Sequence, residues 1–317
     1  MSEVVGQKKA LRKALAEELC LMAEEDPTLV VLTSDSRGSV TLGRFAQEHP
    51  EQLVECGIAE QCEIGVAAGL ALSGRNVFVC APAPFLAGRA YEQVKLDVAY
   101  NRAPVRVMGV SGGVSYGELG TSHHSLEDVA AMRAIEGLMV LVPSDATQLR
   151  ALVRWLSAHP CPAFVRTGRG DVEVLYEAGT YFEPGHAVTV FGRTQDDTLA
   201  ILAMGEMVAP AKHAAELLAE QGVHARVLDM FSIKPLDEEA VVESARACGR
   251  VMTVEEHRLA GGLGGAVAEV LAERCPVPLR RLGIPDEPTY EAESPEVFEH
   301  YGLTAEGILA HALAMLE

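Results

Sequence analysis

Gly57-Ile58-Ala59-Glu60-Gln61 places one acidic residue where a short apolar strand, predicted over Gln52 to Cys56, runs into a Gly/Ala-rich helix predicted from Ile58 to about Leu72. That helix carries Ile64, Val66, Ala67, Ala68 and Leu70, so an acid at its start is expected to be largely buried. Burying a carboxylate without a partner costs several kcal/mol and raises its pKa. Either Glu60 is held neutral or another group shares its proton. A plainer reading is an acid at a helix N-terminus stabilised by the helix dipole.

On both sides of this stretch, apolar runs alternate with helical periodicity, the pattern of an α/β protein with mostly parallel strands. Strands are predicted at Leu29 to Thr33, Asn76 to Cys80, Val105 to Val110, Met139 to Val142 and Pro162 to Arg166. Helices are predicted at about 8 to 25, 58 to 73, 87 to 100, 126 to 134 and 145 to 158, the last opened by Pro143-Ser144-Asp145 as a cap. A polar, Gly-rich stretch from Arg169 to about Asp197 then breaks the pattern.

Beyond it, strands at Leu199 to Met204, Ala225 to Leu228, Val251 to Val254 and near Val277 to Arg281 alternate with helices at Pro210 to Gln221, near Asp237 to Ala247 and after Gly265. The expected architecture is two α/β domains, each a mostly parallel sheet flanked by helices, at 1–180 and 198–317 with 181–197 as linker. A chain of 317 residues fits two domains of roughly 150 residues each.

Hydrophobic residues make up 49% and charged residues 22%, as in a packed globular protein. A formal net charge of −19 repels phosphate backbones and anionic membranes, so neither nucleic acid nor membrane is expected as a partner. A small anionic substrate would need a local basic pocket. Seven cysteines, with no Cys-x-x-Cys pair, fall mostly in apolar runs. Buried free thiols in a reducing cytoplasm are the expectation, with no metal site in this chain. No signal peptide or membrane span is read from the sequence.

Gly261-Gly262-Leu263-Gly264-Gly265 invites a dinucleotide reading, but Val267 stands where the fingerprint needs a small residue and no acid closes a following strand. A tight turn that lets a helix pack closely on its sheet accounts for it better. No P-loop is present either.

Combined motifs carry the functional expectation. Besides Glu60 they are Phe85 with Gly88-Arg89-Ala90-Tyr91-Glu92-Gln93, Gly117-Glu118-x-Gly120 leading to Ser122-His123-His124, Val142-Pro143-Ser144-Asp145, Lys234-Pro235-Leu236-Asp237, and Val254-Glu255-Glu256-His257 before the Gly cluster. Over nearly its whole length the chain resembles the C-terminal half of transketolases, a pyrimidine-binding domain followed by a C-terminal domain. Deoxyxylulose-phosphate synthases and, more distantly, β subunits of 2-oxoacid dehydrogenases share several of these motifs. The resemblance implies thiamine diphosphate as cofactor, with Mg2+ or Ca2+ bridging its diphosphate. The family holds that metal through a Gly-Asp-Gly motif, which this chain lacks. The chain therefore reads as one subunit of a split transketolase. An N-terminal transketolase subunit would supply the diphosphate and metal half, in an α2β2 heterotetramer built on a dimer of this chain.

The resemblance also assigns roles. Glu60 would bind N1′ of the aminopyrimidine and promote loss of the thiazolium C2 proton. Phe85 would stack on the aminopyrimidine, with Arg89 beside it in the cofactor site. His123 would contact the donor's oxygens, and His124 is either a second ligand or a loop-packing residue. Arg12, Ser39 and Arg169 would bind the sugar phosphate, with Asp35 near the substrate channel and Arg166 a second phosphate candidate. The expected reaction moves a two-carbon ketol unit from a ketose to an aldehyde. Two departures point to a non-standard or modified sugar: Leu119 replaces an aspartate that contacts a sugar hydroxyl, and Ser111 stands where many transketolases place a substrate histidine. A synthase-like or 2-oxoacid-decarboxylating subunit, and a partner subunit without activity, remain alternatives.

Overall fold

The computed structural model describes residues 3–317. Lys8–Ala10 forms β1, which pairs antiparallel with β8 (Asp171–Glu173). The larger sheet contains β2 (Leu29–Thr33), β3 (Leu53–Glu55), β4 (Asn76–Pro82), β5 (Val105–Val110), β6 (Met139–Leu141), β7 (Ala163–Thr167) and β12 (Ser232–Lys234). Its order is β12-β6-β7-β5-β4-β2-β3, parallel except for β12. β2 and β5 are buried along their whole length, as helices on both faces of a parallel sheet require. The smaller sheet runs β14-β13-β10-β11-β9, comprising β9 (Val188–Phe191), β10 (Leu199–Ala203), β11 (Ala225–Asp229), β13 (Val251–Arg258) and β14 (Leu279–Ile284). β9 alone is antiparallel there.

Three differences from the sequence reading have physical causes. The predicted helix over 8 to 25 begins only at Leu11, because Lys8–Ala10 pairs with β8. The polar stretch from Arg169 to Asp197 holds β8 and β9, strands of three and four residues whose partners lie far away in sequence. β12 follows the second domain's β11 yet joins the edge of the first sheet, with Ser232 opposite Leu141.

The two halves are therefore stitched together. Asp229 Oδ2, at the end of β11, accepts hydrogen bonds from Ser144 Oγ (2.8 Å), Gln148 Nε2 (2.9 Å) and Tyr176 Oη (2.7 Å). Glu256 on β13 accepts from the Val114 N–H at 2.7 Å. The apolar core is continuous from Leu32 and Val79 in the larger sheet to Leu202 and Val251 in the smaller. Among the described residues, no helix is long and apolar enough to cross a membrane.

Candidate active site

Strand order reverses between β2 and β4, and in a parallel sheet such a point opens a crevice at the carboxyl ends of the strands. Gly57, at φ 69°, turns the chain from β3 toward the helix Glu60–Leu72, whose first residue is Glu60. Glu60 is 2% exposed, as expected from its apolar surroundings. Its Oε2 accepts from Arg89 Nη1 at 2.6 Å, so a guanidinium is the partner that burial demanded.

Phe85–Arg89 forms a π-turn, closed by the Ala90 N–H to the Phe85 carbonyl at 3.2 Å. An i→i+5 turn is wider than an α-turn and brings residues four apart onto one face. Arg89 Cζ accordingly lies 4.8 Å from the centre of the Phe85 ring. His123 meets Phe85 edge-on, with 5.5 Å between ring centres, and meets Tyr116 the same way at 5.4 Å. Ser122 Oγ engages His123 Nδ1 at 2.9 Å, which orients the ring. Arg169 Cζ lies 4.7 Å over Tyr116. A continuous row thus runs from Glu60 through Arg89, Phe85, His123 and Tyr116 to Arg169.

At its far end lies a cavity of about 680 Å³, lined on this side by Arg12, Lys13, Tyr116, Leu119 and Arg169. Arg12 Nη1 donates to the Ser39 carbonyl at 3.1 Å. Arg12 Nε and Arg169 Nη1 are buried without hydrogen-bond partners. Burial first, and then the positive charge of Arg169, lower the pKa of Arg12. Two adjacent guanidinium groups with unspent donors are suited to an anion.

The structure thus brings Glu60, Arg89, Phe85 and His123 together, and beside them Arg12, Ser39 and Arg169. Asp35 stands apart at the mouth of the crevice, exposed, with its N–H donating to Glu55 Oε1 at 2.6 Å. His124 is buried, with Nε2 3.0 Å from the Gly117 carbonyl, so of its two readings the geometry favours loop packing. Arg166 is not a surface residue and does not face the cavity. It lies buried against Asp128 Oδ2 (3.1 Å) and donates to the Glu256 carbonyl (2.8 Å), an internal charge network. Ser111 is buried at φ 60° with its hydroxyl unpartnered, while Leu119 is 56% exposed toward the cavity.

Sequence reasoning missed Tyr116 and Glu63. Tyr116 precedes the Gly117-Glu118 motif and was legible only as a scarce aromatic beside a glycine. Glu63 lies one turn after Glu60, fully buried with neither carboxyl oxygen hydrogen-bonded. Burial pushes its pKa up to about 8; the nearby Ser34 hydroxyl, outside hydrogen-bond geometry, opposes the rise, and the Glu60 and Glu55 charges add to it.

Residues 7–174 match the pyrimidine binding domain of transketolase and residues 189–308 its C-terminal domain. An apulose-4-phosphate transketolase subunit of Phocaeicola vulgatus is 50% identical over 97% of this chain and 98% of its own. The 6-deoxy-6-sulfo-D-fructose transketolase subunit SqwH of a Clostridium species is 38% identical over 99% and 97% respectively. A solved split gene transketolase, an inactive β4 tetramer, superposes with a TM-score of 0.85 at 38% identity, covering 96% of this chain and 97% of that one. With both domain matches falling on the two sheets, and full-length subunits rather than fragments among its relatives, the chain belongs to the transketolase family.

Proposed function

We propose that this chain is the C-terminal subunit of a two-chain, thiamine-diphosphate-dependent transketolase that moves a two-carbon ketol unit from a phosphorylated or modified ketose to an aldehyde. The observation that carries this reading is the placement of buried Glu60 and half-buried Phe85 and His123 in one crevice beside an anion pocket, in a chain with no Gly-Asp-Gly. In this reading the cofactor contacts fall in 1–180 and the C-terminal domain is 198–317, with β9 of the second sheet lying inside the 181–197 connection.

The residues present fit the aminopyrimidine end of the cofactor. Arg89 holds only Oε2 of Glu60, which leaves the other carboxyl oxygen for a ring nitrogen. Phe85 is half-buried and offers a flat apolar surface. When bound, thiamine diphosphate supplies the carbanion and electron sink that the protein's side chains cannot. Glu60 shares the N1′ proton, and His123, oriented by Ser122, faces the donor's oxygens. Arg12 and Arg169, with Ser39 alongside, bind the donor's phosphate, and Asp35 guards the approach.

The diphosphate and its Mg2+ or Ca2+ fall to the partner chain. Ile58 just before the helix of Glu60, Val66 and Leu72 on it, and Leu96 and Tyr100 on the segment after Arg89 are exposed apolar side chains. A second copy and the partner docking there would complete two sites in an α2β2 assembly. Unpaired cysteines are consistent with a cytoplasmic protein. Leu119, together with relatives named for unusual sugars, supports a non-standard donor.

Glu60→Gln tests the catalytic role. The assembled enzyme should lose at least ~100-fold in kcat while its circular dichroism is unchanged. A chain that merely scaffolds its partner would keep full activity, and carbon dioxide release from pyruvate would instead favour a decarboxylating or synthase-type reaction.

A further inference from the structure

The Tyr116–His123 loop carries both the histidine and Leu119, yet its shape is set by the other domain. A Cβ on Gly117 would run into the backbone of the other domain at the Ala292 carbonyl oxygen, while one on Gly120 would meet only the flexible carboxylate end of Glu291. Ser294 Oγ donates to the Val114 carbonyl at 2.9 Å, tying the same segment to the base of the loop. The segment is itself anchored: Val297 is fully buried in the second domain's core, and the Tyr290 N–H donates to Tyr301 Oη at 2.9 Å. Glu293, Ser294, Pro295 and Phe298 line the 680 Å³ cavity together with Arg12 and Arg169.

We propose that Glu291–Phe298 of the C-terminal domain is a specificity wall of the substrate cavity. It holds the loop of His123 in position and presents Glu293 to the hydroxyl groups of the ketose donor. The inference rests on the cavity being the donor site. Glu118, Asp171 and Glu206 also line the cavity, Leu119 offers no polar atom, and Glu293 is the carboxylate that the wall itself contributes as a hydroxyl acceptor. Hydroxyl recognition has thereby moved from position 119 to the other domain.

The test uses the assembled two-chain enzyme and two phosphorylated donors differing by one hydroxyl-bearing carbon, xylulose 5-phosphate and fructose 6-phosphate. The readout is the ratio of their kcat/KM values, which a loss of folded enzyme leaves unchanged. Glu293→Gln and Ser294→Ala should each shift that ratio, Glu293→Gln by ~10-fold, and Gly117→Ala should shift it by displacing the wall. Arg12→Ala should lower both values together, and in calorimetry it should abolish binding of inorganic phosphate that Glu293→Gln retains. An unchanged ratio in all three wall variants, with Arg12→Ala behaving as stated, overturns the wall and leaves the donor site standing. Undiminished phosphate binding in Arg12→Ala, or no turnover of any phosphorylated or modified ketose, overturns the donor site and the wall with it.

Discussion

Glu60 and Glu63 share one helical turn and meet opposite fates. Glu60 has a guanidinium at 2.6 Å, whereas Glu63 is sealed in with no hydrogen bond to either oxygen. A carboxyl with a pKa of about 8 in the fold and about 4.5 in the unfolded chain holds an extra proton when folded between those values. The stability it allows is full below about pH 4.5 and falls as pH rises to about 8. Glu63→Met removes the penalty, so its Tm should exceed that of the unaltered protein at pH 8, by up to a few kcal/mol of stability, with the gap closing toward pH 5. A Tm below the unaltered protein at pH 8 would show that the Glu63 carboxylate is satisfied. The acid at position 60 was legible because a strand, a turn glycine and an apolar helix surround it. Glu63 was not, because an i, i+3 acid on a helix is usually solvated, and its neighbours Ser34, Cys56 and Cys80 are brought to it just past the ends of β2 and β3 and from β4. Arg166 misled for the same reason, since its partners lie on a helix and a strand of different domains.

Elements with strong periodicity were read almost to the residue. β2 and β5 have the predicted bounds, because largely apolar runs between turn signals are what doubly covered strands require. The cap Asp145 was legible too, and it does more than cap. Its carboxylate accepts from the Gln148 N–H at 2.7 Å and, on the other oxygen, from Leu175 at 2.7 Å and Tyr176 at 3.0 Å, tying the helix Ala146–Ala158 to the segment after β8. Asp145→Ala strands three N–H groups and should cost about 2–4 kcal/mol in urea unfolding, more than a cap alone. A loss under about 1 kcal/mol would mean water replaces all three bonds. The sequence reading began this helix at about 87, so Phe85 and Leu86 of the π-turn fell outside it. β8, β9 and β12 escaped because strands of three or four residues are specified by distant partners rather than by their own composition.

Across the whole molecule, the apolar surface beside the catalytic crevice is the feature a lone chain leaves open. Leu72 is 61% exposed and Ile58 75% exposed, on either end of the helix that begins with Glu60. A charge placed at the centre of such a surface is desolvated on assembly. Val66→Glu and Leu72→Arg should therefore shift the protein to smaller species in sedimentation with secondary structure intact, and unaltered assembly would place the interface elsewhere. The two-domain α/β architecture was legible from alternation alone, whereas the stitching through β12 and the wall over the cavity arise only when the domains pack. The central claim is a catalytic centre shared between two chains. Its most direct test is to co-express this chain with a Gly-Asp-Gly-containing transketolase N-terminal subunit and measure ketol transfer from phosphorylated and modified ketoses with thiamine diphosphate and Mg2+, for each chain alone and for the pair. Transfer that requires both chains is the expected result. Transfer by this chain alone, or a co-purified pair that binds cofactor and transfers no ketol unit from any of those ketoses, would contradict it.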